Sequence, residues 1–467
     1  MPSTGRGAHV LGDLFAATAH ELMLFAAFGF VIGGIDDVII DCIWIARSVC
    51  RRMTVYRHND RAHVETLIQP KAPGRIIVFV AAWDESAVIG RMIDHAVRTF
   101  DHPDYRIYVG CYPNDPATLQ AVKAVKSPHV RAVVGDVPGP TTKADCLNML
   151  WRALRSDEQV EGFRAKAVAL HDAEDIVHSA ELRLFDALIE RFALIQLPVL
   201  PLPDPQSRWI SGHYNDEFAE AHGKTLVVRE AIGAAIPAAG VGCAFSRDLL
   251  AQLAEARGGE PFDRDSLTED YEIGLRLAEC DLRAAFVRLP SGRRATMVGV
   301  RAHFPATLEA AVRQKSRWIT GIALAGWDRL GWQGGWAESW MRLHDRRALL
   351  GAVVLLAGYA ALVMTTGLWA AHLIIGTARP VTTPVLDILL SVSASILVWR
   401  LGMRCAFVTY AYGWREGLRA VPRAVIGNVI AIMAARRAVG LYIRMRTDGV
   451  VRWDKTAHAF PDTMPAE

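Results

Sequence analysis

Apolar positions concentrate at the two ends of the chain, where they form long continuous runs over residues 22–46, 348–376 and 384–399. Runs of this kind are typical of membrane helices, which need about 20 predominantly apolar residues. Between them, residues 71–300 alternate short β-branched runs with stretches that repeat apolar residues at helical spacing. The pattern therefore predicts membrane helices around an α/β domain with a mainly parallel sheet.

Basic residues flank the apolar runs on one side of the membrane. Arginine excess marks cytoplasmic flanks, so the α/β domain is predicted to lie in the cytoplasm and the N-terminus outside. The loop 377–383 contains Pro380 and predicts a hairpin between the second and third runs. Because the first twenty residues lack a cleavable signal pattern, the first run is expected to stay as an anchor. The basic flanks are Arg47, Arg51, Arg52 and Arg57, then Arg346 and Arg347, then Arg400 and Arg404.

Three acids, Asp36, Asp37 and Asp41, interrupt the first apolar run. Carboxylates inside a membrane are costly and normally face protein or water. Two interpretations stay open: the helix docks on other helices through this acidic stripe, or the acids lie at the membrane interface. The stripe is also a candidate lining for a passage through the bilayer.

The stretch 410–446 mixes arginines with apolar residues and predicts an interfacial amphipathic helix. Three spans are therefore expected. The predicted units are 1–62, the anchor and a basic linker; 63–306, the cytoplasmic α/β domain; 307–345, an interface helix; 346–410, two transmembrane helices; and 411–467, the amphipathic helix and a cytoplasmic tail.

Within the α/β domain, strands are predicted over 75–83, 106–112, 130–135 and 165–175. Residues 84–86 are expected to cap a helix that carries the VIGRMIDHAV repeat. Ligands in such sheets bind at the carboxyl ends of strands, where the acidic motifs of this sequence fall.

Overall charge and cysteine content exclude several classes of protein. The 467 residues carry 52 basic and 49 acidic side chains, so no global field favours nucleic acid. The 7 cysteines include no CxxC pair, which fits neither a disulfide framework nor a zinc site. A reducing compartment is the simplest interpretation.

The acidic segment 171–175 follows an apolar strand. Asp172 and Glu174, at positions i and i+2, could hold a divalent cation together with substrate phosphate oxygens. Mg²⁺ or Mn²⁺ suits such hard oxygen ligands. An acidic cluster after a strand can also be a solvated turn or a helix cap.

Two further motifs follow. Thr268, Glu269 and Asp270 precede an amphipathic helix, where an ionised carboxylate suits a general base, although Thr268 could be a plain N-cap. Gln314, Arg317 and Trp318 share one helix face. They could bind a pyrophosphate and stack on a sugar, or anchor the chain at the membrane interface.

These motifs, in this order, resemble the processive family 2 glycosyltransferases such as cellulose and hyaluronan synthases. Longer strings resemble the bacteriophage N4 adsorption protein B group within that family. Those strings are YPNDPAT (112–118), PGPTTKADCLN (138–148), LHDAED (170–175), SLTEDYEIGLRL (266–277), AVRQKSRWITGI (311–322) and WDKTAHAFP (453–461).

The resemblance implies a GT-A fold and a role for each matching residue. Glu85 is expected to contact the nucleoside, Asp115 to recognise uracil and Lys143 to lie near the diphosphate. Asp172 and Glu174 would hold the metal. Many relatives carry Asp in place of Glu174, and Asp175 follows it, so the choice between these two ligands stays open.

Thr268, Glu269 and Asp270 match the catalytic motif of the family, and the resemblance makes Asp270 the base. Gln314, Arg317 and Trp318 would close the site. It implies a multi-pass protein of a bacterial inner membrane, in contact with lipid. The implied reaction transfers a hexose or N-acetylhexosamine from a UDP-sugar to a growing polysaccharide, with inversion, and a periplasmic or outer-membrane partner would complete export. The alternative is a non-catalytic scaffold.

Overall fold

A computed structural model describes residues 3–277, 282–293, 296–448 and 460–461. Most of the 453–461 string therefore lies outside the described residues. The strands are β1 (Ile76–Ala81), β2 (Tyr105–Cys111), β3 (Val130–Val134), β4 (Ala167–His171), β5 (Leu194–Gln196), β6 (Val199–Pro201), β7 (Cys243–Ser246), β8 (Ala284–Phe286) and β9 (Val300–Ala302).

The helices fall into two groups, those of the α/β domain and those toward the membrane. The first group is α2 (Ile89–Thr99), α3 (Pro116–Ala124), α4 (Lys143–Glu161), α5 (Glu181–Leu188), α6 (Gly212–Glu220), α7 (Leu226–Ala231), α8 (Arg247–Ala256) and α9 (Glu269–Arg276). The second group is α1 (Ser3–Thr54), α10 (Leu308–Ile319), α11 (Ala325–Leu330), α12 (Trp336–Arg346), α13 (Ala348–Ile375), α14 (Pro384–Tyr412) and α15 (Trp414–Asp448).

Among the described residues, one seven-stranded sheet runs in the order β3-β2-β1-β4-β7-β5-β8, and β6 and β9 form a separate parallel pair. The four predicted strands are present as β1 to β4, and they pair in parallel. Strand β7 is antiparallel to both β4 and β5, so the sheet is mixed. The half of the sheet that contains β7, β5 and β8 therefore departs from the parallel pattern expected from sequence.

Both faces of the sheet are covered by helices, which is why its central strands read as continuous apolar runs. All six residues of β1 are buried. Its alternate side chains face opposite layers: Val78 and Val80 pack with α2 and α5, whereas Ile77 and Phe79 pack with α4 and α8. This three-layer packing fixes the strand ends that carry the site.

The prediction that residues 84–86 cap a helix is wrong. Helix α2 begins at Ile89, and its N-cap residue, Val88, makes no side-chain cap hydrogen bond. Asp84 instead adopts a positive φ of 54°, a conformation that Asp tolerates better than most residues. The strand therefore leaves the sheet through a tight turn rather than a capped helix start.

Four of the described helices, α1, α13, α14 and α15, are long and apolar enough to cross a membrane, judged by length and composition. Helices α1, α13 and α14 contain the three predicted spans. Helix α14 continues beyond the predicted end at residue 399, and α1 is one helix of 52 residues. Helix α15, expected at the interface, also meets the length and composition criteria.

The acidic stripe of α1 docks this helix onto its neighbours. Lys224 forms a buried ion pair with Asp41, whose side chain is 1% exposed. All three carboxylates accept from basic or indole groups, so they serve helix packing, as one of the two interpretations expected. The contacts, at 2.5–2.9 Å, join Asp36 to Trp340 and His344, Asp37 to Arg400, and Asp41 to Trp399 and Lys224.

Candidate active site

A cavity of about 1110 Å³ opens where β1 and β4 end. This position matches the strand-end rule for open α/β sheets. All but one of the residues that the sequence assigns to the catalytic site line this cavity, although they come from distant parts of the chain. These residues are Glu85, Lys143, Asp172, Glu174, Thr268, Glu269, Asp270, Gln314, Arg317 and Trp318.

The exception is Asp115, which lies behind the cavity wall. Its Oδ1 accepts from the Thr118 backbone N–H at 3.2 Å and caps α3, and its Oδ2 accepts from the Asp84 N–H at 2.6 Å. The Glu85 N–H donates to Thr118 Oγ1 at 2.9 Å. Asp115 thus holds the turn that presents Glu85 to the cavity, and its contact with uracil stays a prediction.

The acidic loop after β4 is buried and internally bonded. Asp175 Oδ2 lies 2.9 Å from His171 Nδ1 and accepts from the Asp172 N–H at 3.0 Å. On the other side of the ring, His171 Nε2 lies 2.8 Å from Glu181 Oε1. Burial lowers the pKa of His171, but the two carboxylates outweigh it and raise the pKa to about 10.

This network rules out a solvated turn, because Glu174 is 8% exposed and Asp175 2% exposed. It also separates the two acids that the sequence leaves open. Asp175 is committed to His171 and to the backbone, so the geometry favours Glu174 as the partner of Asp172 in metal binding.

Lys143 begins α4, where Thr142 caps the helix through a capping box. Its Nζ donates to Asp172 Oδ1 at 2.6 Å. Burial lowers the pKa of Lys143, but the charges of Asp172, Glu269 and Asp270 outweigh burial and raise the pKa well above its usual range. The site therefore holds a permanent ammonium among its carboxylates.

Glu269 and Asp270 occupy the first turn of α9. Burial and the charge of Asp270 raise the pKa of Glu269 to about 7, against the opposing effect of Lys143. Burial likewise raises the pKa of Asp270, which Lys143 partly offsets. Two neighbouring acids with raised pKa values in a cavity suit proton transfer near neutral pH.

Thr268 takes the N-cap position of α9, but its side chain makes no cap hydrogen bond. Its backbone N–H donates to Ser266 Oγ at 3.1 Å, and Ser266 donates to Glu272 at 2.6 Å. The plain N-cap interpretation therefore fails for the Thr268 side chain, which lines the cavity.

Gly240, which the sequence reasoning missed, lies directly against Asp270. A Cβ at this position would lie 2.2 Å from Asp270 Oδ2 and 3.4 Å from Lys143 Nζ. Its φ of 73° also favours glycine. The glycine-rich string AAGVG before β7 was the available signal, because a close backbone approach commonly requires glycine.

Helix α10 carries Gln314, Arg317 and Trp318 and continues into a π-helical turn at Thr320–Leu324. In this turn Gly321 packs on Thr268, since a Cβ there would lie 2.6 Å from Thr268 Cγ2. Such turns are frequent at functional sites because they re-aim a helix face. The trio therefore lines the cavity, which favours a role in the site over membrane anchoring.

Trp318 belongs to an aromatic wall. Its ring centroid lies 6.1 Å from that of Tyr214, at an interplanar angle of 87°, and 6.4 Å from that of Phe218. Phe304 packs on both of these neighbours. Aromatic faces beside a polar centre suit the apolar faces of sugar rings.

The donor atoms of Asp172 and Glu174 fit Mg²⁺ or Mn²⁺, which favour carboxylate oxygens and leave positions for phosphate oxygens and water. A second group, Asp36, Asp37 and His344, also has ligand atoms within 4.8 Å of one another. Arg347 contacts both carboxylates of that group, as Lys143 contacts Asp172, so a neighbouring cationic side chain does not distinguish the two groups.

A family model described as Glycosyltransferase like family 2 matches residues 73–321, more than half of the chain. Two curated relatives are bacteriophage adsorption protein B of Escherichia coli K12 and bacteriophage N4 adsorption protein B of E. coli O157:H7. Each is 38% identical over 480 residues, covering 96% of this chain and 64% of the relative. The chain thus spans less than two thirds of the length of these relatives.

Similar solved structures include a mannosyltransferase from Pyrobaculum calidifontis in complex with GDP-Man and Mn²⁺. It is 16% identical with a TM-score of 0.49, covering 89% of this chain and 99% of that one. Another is glucosyl-3-phosphoglycerate synthase from Mycobacterium tuberculosis, 18% identical with a TM-score of 0.35, covering 58% and 86%. From the family match and the sheet that carries the cavity, the chain belongs to the family 2 glycosyltransferases and has a GT-A-like fold.

Proposed function

We propose that this protein transfers a sugar from a UDP-sugar to a growing polysaccharide, with inversion and with a divalent metal. One observation carries the proposal. The Lys143–Asp172 pair and the carboxylates of Glu269 and Asp270 line a single cavity. The ammonium group that would bind a diphosphate therefore lies beside the carboxylates that would accept a proton.

Mg²⁺ or Mn²⁺ held by Asp172 and Glu174 would neutralise charge on the departing diphosphate. The ammonium of Lys143 attracts the same diphosphate. Asp270 takes the proton of an acceptor hydroxyl. The oxygen of that hydroxyl bonds to the anomeric carbon, and the bond from that carbon to UDP breaks. A single in-line displacement inverts the anomeric centre.

On the donor side, Glu85 and the backbone of its turn would contact the nucleoside, and Asp115 would read the uracil. Glu85 is 7% exposed and lines the cavity, which supports its proposed contact with the nucleoside. Asp115 fixes the conformation of this turn through Asp84. The donor sugar itself is a hexose or an N-acetylhexosamine.

On the acceptor side, Trp318 would stack on the terminal sugar, with Gln314 and Arg317 closing the site. The aromatic wall around Trp318 supports this arrangement. A chain held by stacking between transfers favours processive elongation. Export would then involve a periplasmic or outer-membrane partner.

We place the protein in a bacterial inner membrane with its catalytic domain in the cytoplasm, and we retain the predicted unit boundaries. Helix α15 is assigned to the interface, because it contacts the catalytic domain near its start and the 307–345 unit near its end. Arg423 pairs with Asp216 at 2.6 Å, and Tyr442 donates to Asp328 at 2.5 Å. A helix bonded to both of these units over this length lies at the membrane surface, outside the bilayer core.

UDP release from a panel of UDP-sugars tests the proposal. The purified protein is assayed with Mg²⁺, with Mn²⁺ and with EDTA, and the products are sized over time. We expect metal-dependent UDP release with at least one donor and a product ladder that lengthens. Absence of UDP release with every donor, in protein whose folding is verified, contradicts the proposal.

The names of the curated relatives favour a second candidate, a non-catalytic scaffold in an envelope or phage-receptor complex. An Asp172→Ala variant separates the two in a strain that lacks the native protein. Normal surface polysaccharide and phage adsorption with this variant would support the scaffold, whereas loss of both at normal protein levels would support the enzyme.

A further inference from the structure

The cavity extends past the catalytic acids toward the first residue of the membrane hairpin. Its far wall carries Arg229 from α7, Tyr271 from α9 and Asp345 from α12. Tyr271 follows Asp270 directly, and Asp345 comes three residues before α13 begins at Ala348. This lobe of the cavity, called the membrane-side lobe, therefore connects the base to the membrane boundary.

Arg229 is the central polar group of the membrane-side lobe. Its guanidinium is 1% exposed, and its Nε and Nη1 donate to the Ala235 carbonyl at 2.5 Å and to Asp345 Oδ2 at 2.7 Å. Its Nη2 is buried and makes no hydrogen bond within the described part of the chain. A buried N–H left in this state costs free energy, and a ligand in the lobe would satisfy it.

The charges of the lobe indicate the class of ligand. Arg229 is neutralised by Asp345, which also accepts from the Tyr271 hydroxyl at 2.7 Å. Burial and the Asp345 charge raise the pKa of Tyr271 far above its usual range, so the phenol stays neutral. A balanced pair attracts a phosphate weakly, whereas its donors and acceptors match sugar hydroxyls.

The remaining wall supports the same class. Leu226, Pro237 and Ile322 also line the cavity, and Ile322 packs in the same apolar cluster as Tyr271. Sugar rings combine apolar faces with hydroxyl edges, so a few charged groups in an apolar lining suit them better than a fully polar one.

We propose that Arg229, Asp345 and Tyr271 form an acceptor subsite that binds sugar units of the growing polysaccharide behind its reactive end. The inference rests on the proposed function and deepens it. It sets a direction for the product, since the chain bound in the lobe points away from the donor and toward the start of α13.

The test compares acceptor KM, donor KM and product length in three variants. The probe is a set of oligosaccharides purified from the wild-type reaction. Asp345→Asn and Tyr271→Phe keep the size of each side chain while weakening the polar contacts. The matched control is Asp248→Asn, which alters an exposed pair with Arg164, where the side chains are 68% and 66% exposed.

We expect both subsite variants to raise acceptor KM about tenfold, the effect of losing one hydrogen bond to a charged group, and to shorten the products. Donor KM should stay close to the wild-type value, and Asp248→Asn should match the wild type throughout. If Asp345→Asn fails to fold, Tyr271→Phe decides alone.

Two failures are distinguishable. If the wild type releases no UDP from any donor, the proposed function and this subsite both fall. If the wild type elongates chains and the folded variants show unchanged acceptor KM and product length, the subsite alone is overturned.

Discussion

The buried carboxyl of Glu269 makes stability depend on pH in a predictable direction. Its pKa rises from 4.5 to about 7 in the folded protein. Each pKa unit corresponds to about 1.4 kcal/mol, so ionisation of this group lowers the free energy of unfolding by about 3 kcal/mol at pH 8. Because the folded state binds more protons than the unfolded state between these values, stability falls as pH rises from 4.5 through 7.

A Glu269→Gln variant cannot ionise, so it should escape this loss. We expect it to exceed the wild type by about 3 kcal/mol at pH 8 and by less than about 1 kcal/mol at pH 5. For 467 residues, an unfolding entropy of about 2.1 cal/mol/K per residue gives about 1 °C per kcal/mol, so the unfolding midpoint should rise on the order of 3 °C at pH 8. The assay is thermal unfolding in detergent, without donor and with EDTA.

The control is Asp248→Asn, which removes an exposed carboxyl whose side chain is 68% exposed. It should follow the wild-type curve at both pH values. If Glu269→Gln and the wild type lost the same stability between pH 5 and pH 8, the assigned pKa of Glu269 would be refuted.

Other substitutions test the packing around the site and the membrane anchor. Gly240→Ala should lower UDP release at least tenfold, because its Cβ would meet Asp270 Oδ2 at 2.2 Å, whereas Gly162→Ala, with a similar φ of 70° but open space, should keep activity. Full activity in Gly240→Ala would show that this contact is unimportant. Asp41→Asn should destabilise the protein by about 3 kcal/mol, since it leaves Lys224 without its buried partner, and thermal unfolding measures the loss. The exposed Asp60→Asn is its control, and equal unfolding midpoints for the two variants would contradict the docking role of Asp41.

Much of the fold could be predicted because local patterns determine it. The strand predicted over 75–83 is present as β1 (Ile76–Ala81), and the interface helix predicted from residue 307 begins at Leu308, because local residue patterns are sufficient for both. The motifs around Asp172 and Asp270 could be placed in one site because both resemble motifs of family 2 glycosyltransferases, although Asp172 follows β4 and Asp270 lies in the first turn of α9. These parts depend on residues that are close in sequence.

Contacts between distant residues could not be predicted in the same way. The pairing of Arg229 with Asp345 joins residues 116 positions apart, and neither belongs to a recognisable motif. The choice of Glu174 over Asp175 depends on how His171 is oriented in the folded loop. The antiparallel direction of β7 likewise depends on chain connections beyond the strand itself.

The acidic stripe shows the same limit in the membrane region. Its unusual position was evident from the sequence, but both docking and interfacial placement were compatible with it. Its partners, such as Trp340 and Trp399, lie more than 300 positions away. Only the packed helices reveal that these carboxylates accept hydrogen bonds from indole groups.

The central claim is that Asp270 removes the acceptor proton in this cavity, and turnover of an Asp270→Asn variant tests it most directly. With the active UDP-sugar and metal, we predict that kcat falls about 10²–10⁴-fold, the usual contribution of a positioned general base. Binding of UDP, measured by calorimetry, should persist because the donor contacts lie on other residues. Full turnover by a folded Asp270→Asn variant would contradict the account.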